Sequence, residues 1–159
     1  MVHAALLPGE ENSGKLVALV RNQAKVLANK ERKDLIITDG APGVGCPVIS
    51  SVTGADHVIV VTEPSMSGLH DMKRAVELVR GFTIPISAVI NKWDINESVA
   101  GQIDEFCRGN GVSLLGRIPY DHDVINAMVH RRTVVENGHG PVGRSVREIW
   151  SKIRESILS

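Results

Sequence analysis

The sequence predicts an α/β fold in which a doubly wound, parallel β-sheet is flanked by helices. Short apolar runs rich in Val and Ile recur along the chain, each is closed by glycine, proline or polar residues, and an amphipathic stretch follows. The runs are apolar nearly throughout, which is typical of parallel strands covered on both faces. The length of 159 residues matches one domain, so we expect a single α/β domain over residues 1–159.

The strands and helices are predicted from apolar runs and from apolar residues spaced three and four apart. The predicted strands are Asp34–Asp39, Asp56–Thr62, Pro85–Asn91 and the weaker Ser113–Ile118. The predicted helices contain Leu16–Leu27, Leu69–Val79, Val99–Phe106, Val124–Met128 and Val142–Ile157. Candidate N-caps precede three of them, at Asn12 or Ser13, at Ser65 or Ser67, and at Asp121.

The composition excludes several classes of protein. The 18 Lys and Arg residues balance the 18 Asp and Glu residues, so no basic surplus favours nucleic acid as a partner. Purely apolar runs such as Val58–Val61 are far too short for an integral membrane segment, and Val2–Leu7 lacks the features of a signal peptide. Two cysteines, Cys46 and Cys107, cannot form a disulfide framework, so we expect a reducing, cytoplasmic location.

Polar residues follow the predicted strands at their carboxyl ends, where open parallel sheets bind ligands. Asp39 ends one apolar run, the position of a Walker B carboxylate that holds the hydrated Mg²⁺ of a nucleoside triphosphate. Gly43, shortly after it, allows a backbone N–H to approach a phosphate closely. In the alternative interpretation, Asp39 caps the next helix.

Asn91-Lys-Trp-Asp94 is the most specific single motif in the chain. A carboxylate and an amide held after a strand fit the edge of a purine. Asp94 accepts from guanine N–H groups, Asn91 contacts N7 or an exocyclic group, and the stem of Lys92 packs on the ring. The motif therefore predicts nucleotide recognition. Alternatively, it is a polar strand end in which Asp94 or Asn96 caps the next helix.

Gly9–Lys15 matches the first seven positions of a phosphate-binding loop, but we interpret it as a turn that leads into a helix. Leu16 stands where such a loop needs a Ser or Thr hydroxyl for magnesium, and the two glutamates inside it would repel phosphate. The six histidines show no metal spacing, and Cys46 lacks partners for a zinc site. His70-Asp71 is interpreted as a surface pair.

Five segments in a fixed order together resemble the MinD superfamily of P-loop ATPases, in the branch that carries an inserted ferredoxin domain. They are Pro8–Val17, Asp39–Ser50, Val61–Asp71, Ile90–Asp94 and Gly116–Asp121. The resemblance covers residues 1 to about 136 and implies a P-loop NTPase fold, a Rossmann-like three-layer architecture. The family's Lys-Gly-Gly-x-Gly-Lys-Thr loop is absent from the sequence. We therefore expect a fold that is incomplete at its N-terminus, the C-terminal portion of such an ATPase.

The resemblance also implies roles for individual residues. Asp39 would be the Walker B carboxylate on the magnesium side, and Gly43 would belong to the switch that senses the terminal phosphate. Asn91 would contact adenine, since in this family an Asn-Lys-x-Asp sequence does not make the protein a GTPase. Pro119 and Tyr120 would line the base. ATP and Mg²⁺ are the implied cofactors, although this chain alone is expected to be inactive.

The resemblance further implies partners. Members of the family form nucleotide-dependent dimers, so we expect a homodimer or a partner that carries the Walker A loop. In nitrogenase iron-protein relatives, a cysteine seven residues beyond the corresponding aspartate binds an iron–sulfur cluster between two subunits, and Cys46 has that spacing from Asp39. Two alternatives remain open. One is a GTPase-like module that uses Asn91 and Asp94, and the other is a non-catalytic split subunit or interaction module.

Overall fold

The computed structural model describes residues 1–3, 14–136 and 140–157. These residues pack into two compact units, Met1–Ala55 and Asp56–Ser159. The helices are α1 Gly14–Glu31, α2 Cys46–Val52, α3 Met66–Arg80, α4 Glu97–Gly109, α5 Asp123–Val129 and α6 Pro141–Ile157. The strands are β1 Val58–Thr62, β2 Ile86–Asn91 and β3 Ser113–Ile118. A 3-10 turn, Trp93–Ile95, follows β2.

The second unit contains a parallel sheet in the order β1-β2-β3, as the sequence predicts. Val58 pairs with Ile86 at one end of the β1–β2 ladder and Thr62 pairs with Ile90 at the other. The β2–β3 ladder shifts register between Ala88 and Val89, where β3 contributes an extra residue. All three carboxyl ends therefore lie along one edge of the sheet.

Helices cover both faces of this sheet. On one face, α3 and α4 pack on Ala88 and Ile90 of β2, which are completely buried, through the core residues Leu69, Met72, Val76, Val99, Ala100, Ile103 and Cys107. On the other face, Ile149 and Ile153 of α6 pack with Val89. Because successive strand residues point to opposite faces, β2 supplies both cores. The predicted α/β class, a parallel sheet flanked by helices, is confirmed.

The α6 helix packs on β3 at a glycine, Gly116. A Cβ at Gly116 would lie 2.6 Å from Cγ1 of Ile149, well inside the van der Waals limit. A glycine at this strand position therefore allows close approach of the helix to the sheet.

The described residues of the first unit form two helices, of which the sequence predicted α1 but not α2. The Arg21 guanidinium of α1 donates to the carbonyl oxygens of Ser50, at 2.9 Å, and Thr53, at the end of α2. Pro47 occupies the first turn of α2, where its missing N–H costs nothing. The glycine-rich composition of residues 40–45 suggested a turn through this region and obscured the short helix.

The predicted strand Asp34–Asp39 is wrong. Residues 35–39 adopt no regular secondary structure, and they pair with no other described residue. Ile36 and Ile37 are 41% and 75% exposed. An apolar, β-branched run becomes a strand only where a neighbouring strand accepts its backbone hydrogen bonds, and no described segment does so here.

Candidate functional site

The turn that follows β1 is fixed by hydrogen bonds around a glycine. The buried Thr62 hydroxyl donates to the Gly68 carbonyl at 3.0 Å, and the Ser65 hydroxyl accepts from the Gly68 N–H at 2.9 Å. Ser65 is therefore the N-cap of α3, one of the two predicted candidates. A Cβ at Gly68 would overlap the Glu63 carbonyl oxygen, so only glycine fits. The turn holds Glu63 at the edge of the sheet.

The turn that follows β2 begins with a left-handed residue. Lys92 has φ of 52° and ψ of 42°, a conformation that side chains other than glycine seldom adopt. Its ammonium nitrogen lies 2.6 Å from Oε1 of Glu63, although both side chains are partly exposed. The ion pair links the β2 turn to the β1 turn. Sequence reasoning assigned no individual role to Glu63.

A second contact links the β2 turn to the turn that follows β3. Oδ1 of Asp94 accepts a hydrogen bond from the backbone N–H of Tyr120 at 2.7 Å. A charged acceptor makes this a stronger bond than one between neutral groups. Asn96, not Asp94, caps α4, since its side chain accepts from the Val99 N–H at 3.1 Å.

Asn91 lies between these two contacts at the end of β2. Its side chain is half-buried, and within the described parts of the chain its carboxamide makes no hydrogen bond. It retains both a donor and an acceptor for a ligand. Half-buried Pro119 and exposed Tyr120 lie in the β3 turn, where the Tyr120 ring meets His122 edge to face at 5.4 Å. The structure thus brings Asn91, Lys92, Asp94 and Tyr120 together.

Trp93 follows Lys92 in the β2 turn and packs against the core that α3 and α4 form on the sheet. The Arg117 guanidinium lies 5.7 Å from the centre of the Trp93 ring, and it is also 3.1 Å from Oδ2 of Asp104 on α4. The cation–π contact fixes the indole in the β2 turn. Trp93 therefore offers a fluorescence probe within the β2 turn.

The residues predicted to hold magnesium and to sense the terminal phosphate belong to the first unit. Asp39 is exposed at the end of the unpaired segment, and Gly43 has φ of 91°, a backbone conformation suited to glycine. Cys46 is exposed at the start of α2. Most of the loop-like motif at Gly9–Lys15, with the candidate caps Asn12 and Ser13, lies outside the described residues, and Gly14 and Lys15 already belong to α1.

The described residues contain no group of three or more His, Cys, Asp or Glu side chains placed to hold a metal ion. A single exposed carboxylate such as Asp39 fits Mg²⁺, which keeps several waters and takes one or two protein carboxylates. An iron–sulfur cluster fits poorly within one copy. Burial, with a contribution from Asp104, raises the pKa of Cys107 to about 11, so only Cys46 is accessible as a thiolate ligand.

The opposite end of the sheet carries a separate cavity of about 350 Å³. Its lining includes Asp56, His57 and Ser87, and Nε2 of His57 lies 2.9 Å from the Ser87 hydroxyl. Burial lowers the pKa of His57.

No helix within the described ranges is both long and apolar enough to cross a membrane.

The chain is similar in sequence to several known proteins. The chain is 29% identical over 157 residues to an uncharacterized protein of Methanocaldococcus jannaschii, covering 99% of this chain and 51% of that protein. It is 30% identical over 132 residues to the iron-sulfur cluster carrier protein of Pyrococcus furiosus, covering 76% of this chain and 45% of that protein. It is 28% identical over 155 residues to the septum site-determining protein MinD of Bacillus subtilis, covering 93% and 58%. The chain spans about half the length of the curated relatives it matches.

Solved structures show the same fold. The MinD cell division protein of Aquifex aeolicus matches 92% of this chain and 63% of its own, with a TM-score of 0.72 and 14% identity. MinD from Pyrococcus horikoshii OT3, complexed with Mg-ADP, matches 92% of this chain and 58% of its own, with a TM-score of 0.68 and 18% identity. No protein-family profile matches the chain.

Proposed function

We propose that this chain binds an adenine nucleotide at the carboxyl edge of its sheet. Its homologues are MinD/ParA-family P-loop ATPases, iron–sulfur cluster carriers among them. The observation that carries the proposal is the convergence of three strand-end turns around Asn91. The Lys92–Glu63 ion pair and the Asp94–Tyr120 hydrogen bond hold these turns together. The uncommitted carboxamide of Asn91 matches the paired donor and acceptor of an adenine edge.

The neighbours of Asn91 suit the flat, apolar faces of a base. Pro119 and Tyr120 offer an apolar ring and an aromatic ring in the β3 turn, and the stem of Lys92 offers methylene groups from the β2 turn. Base contacts supply only part of the affinity for a nucleotide. Most of it comes from backbone N–H groups and a lysine around the phosphates.

On the phosphate side, we propose that Asp39 is the Walker B carboxylate that holds hydrated Mg²⁺, and that Gly43 senses the terminal phosphate. The magnesium ion supplies neutralisation of the charge on the phosphates. Asp39 carries a negative charge of its own, so without the metal it would repel them. Its exposure leaves its oxygens free for the water shell of the ion.

We further propose that the phosphate-binding loop is supplied by a segment outside these 159 residues, in a partner or elsewhere in the same protein. The sequence contains no Lys-Gly-Gly-x-Gly-Lys-Thr loop. Among the described residues, β1 pairs on one side only, and its Val61 is 63% exposed. An apolar edge strand of this kind invites a further strand. The same observation favours the second candidate function, a subunit that completes a nucleotide site only with its partner.

The iron–sulfur proposal is restricted to an assembly of two copies. A cluster needs about four thiolate ligands, whereas one copy offers Cys46 alone and two copies offer two. We therefore propose Cys46 as one ligand of a cluster held between two copies in a nucleotide-dependent dimer, with the remaining ligands supplied from outside these 159 residues. No chemical step in this chain is assigned to the cluster.

The test follows Trp93 fluorescence in a Trp150→Phe background, which leaves Trp93 as the only tryptophan. Mg-ATP should bind with a dissociation constant weaker than about 1 mM, because the phosphate loop is missing. Asn91→Ala should weaken binding about tenfold, whereas Asn110→Ala, at the far end of α4, should leave it unchanged. Equal affinities of the two variants would contradict the assignment of Asn91. Micromolar binding that Lys15→Ala abolishes would show instead that the Gly9–Lys15 motif binds phosphate.

A further inference from the structure

The cavity at the amino end of the sheet lies between the strands and the last turn of α6. Its lining comes from the amino ends of the three strands and from that turn, so it belongs wholly to the second unit. Ser87 of β2 and Ser113 of β3 are partners in the ladder. Two residues later, the same face carries Val89 and Leu115, which pack into the core with α6. The paired serines therefore leave open a volume that larger side chains fill further along the sheet.

The charge that lines the cavity is negative. Apart from His57, Asp56 is the one titratable group among the described residues of the lining. The last turn of α6, which ends at Ile157, adds the partial negative charge of a helix C-terminus. The Lys152 ammonium does not line the cavity and is instead 2.6 Å from the Leu115 carbonyl oxygen. The lining therefore attracts a cation and repels an anion.

Hydroxyl groups and apolar side chains complete the lining. The hydroxyl of Ser87, a residue only 2% exposed, lies 2.9 Å from Nε2 of His57. Burial lowers the pKa of His57, so its ring adds no positive charge near neutral pH. The Ser156 hydroxyl donates to a carbonyl of its own helix at 2.7 Å, and its oxygen can still accept a bond from a ligand. Leu115 and Ile157 present apolar surface to the same space.

We propose that this cavity binds a small organic cation, a primary ammonium group on an apolar body. A volume of about 350 Å³ equals that of roughly ten water molecules, so the ligand has about eight to ten heavy atoms. The ammonium donates to the Asp56 carboxylate and the Ser156 hydroxyl oxygen, while the body packs on Leu115 and Ile157. The site is at the opposite end of the strands from Asn91 and does not depend on the proposed nucleotide site.

The test compares benzylamine, benzyl alcohol and benzoate, which share one ring and differ in charge. Each is titrated near neutral pH to about 50 mM, since ligands with so few atoms bind weakly, and amide chemical shifts are followed by NMR. Benzylamine should shift the amides of His57, Ser87 and Ser113 and leave that of Asn91 unchanged. It should bind about three- to fivefold more tightly than benzyl alcohol, and benzoate more weakly than either. No shift at these three amides with benzylamine, or an equal response to benzyl alcohol or benzoate, would overturn the proposal.

A matched pair of variants tests the role of Asp56. Asp56→Asn keeps the size of an exposed side chain and removes its charge, so benzylamine should bind about three- to fivefold more weakly and benzyl alcohol as before. Asp71→Asn removes an exposed carboxylate from α3, on the other face of the sheet, and should leave both affinities unchanged. Equal affinity for benzylamine in the wild type and in Asp56→Asn would contradict the proposed cation site.

Discussion

Residues 34–39 and strand β1 have nearly the same character in the sequence, yet only β1 is a strand. Residues 34–39 begin with an aspartate, and Asp56 lies two residues before β1. Both segments contain consecutive β-branched residues. β1 ends at a threonine, and residues 34–39 end one residue beyond a threonine. β1 pairs along its whole length with β2, from Val58 opposite Ile86 to Thr62 opposite Ile90. Residues 35–39 have no such partner among the described residues.

Strand formation in this chain therefore depends on pairing more than on local composition. β-branched residues favour an extended backbone, but the ladder supplies the hydrogen bonds and the covered faces. A central strand such as β2 has both, and four of its six residues are buried. The unpaired segment has neither, and its isoleucines remain exposed.

The largest expected effect contrasts the same substitution in the paired sheet and in the unpaired segment. Ile90→Ala, at a completely buried position of β2, should lower the free energy of unfolding by about 2–5 kcal/mol, because it leaves a cavity between α3, α4 and the sheet. Ile37→Ala, at a position 75% exposed, should change it by less than about 0.5 kcal/mol. Urea unfolding measures both. Similar losses in the free energy of unfolding would mean that residues 34–39 are packed as closely as β2, which would contradict the proposed difference between the two regions.

A smaller effect is expected at the glycines that follow the two segments. Gly68→Ala should cost about 1–3 kcal/mol, because the new methyl group overlaps the Glu63 carbonyl and must displace backbone. Gly40→Ala should be tolerated within about 0.5 kcal/mol, since its nearest neighbour, Cβ of Ser51, is 3.9 Å away. Thermal unfolding of the two variants checks the pair. Equal destabilisation would show that the first segment also ends in a close-packed turn.

The smallest effect concerns pH and the residue before β1. Burial disfavours the charged form of His57, so its pKa in the folded chain lies below the ordinary value of 6.5. As the pH falls below 6.5, the unfolded chain binds more protons than the folded chain, and the free energy of unfolding must decrease. His57→Gln should flatten this decrease between pH 7.5 and pH 5, as measured by urea unfolding at each pH. Identical pH slopes in the wild type and the variant would show that His57 is not desolvated.

Much of the fold was predictable because its signals are local. Apolar runs gave the limits of β1, β2 and β3 to within two residues, and Ser65 was one of two candidate N-caps because a serine hydroxyl precedes an amphipathic stripe. The clustering of Asn91 and Tyr120 followed from parallel topology, since strand ends of one sheet share an edge. These features depend on neighbours in sequence or on one general rule.

The features that were not predictable depend on distant partners. Nothing local distinguishes residues 34–39 from β1, since the distinction lies in which segment has a neighbouring strand. The Glu63–Lys92 pair joins residues far apart in the chain, although an acid and a base after adjacent strands could have suggested it. The short helix α2 was hidden by Gly45 and Pro47, which sequence rules treat as turn residues but which also begin helices.

The most direct test of the nucleotide site is a map of amide chemical shifts during titration with AMP. The affinity is expected to be weaker than about 1 mM, so the titration must extend to about 20 mM. A nucleotide site at the carboxyl edge should give the largest shifts at Asn91, Trp93, Asp94 and Tyr120, with His57 and Ser87 at the opposite end of the strands unaffected. Shifts centred on His57 and Ser87, or none at any residue of the carboxyl edge, would contradict it.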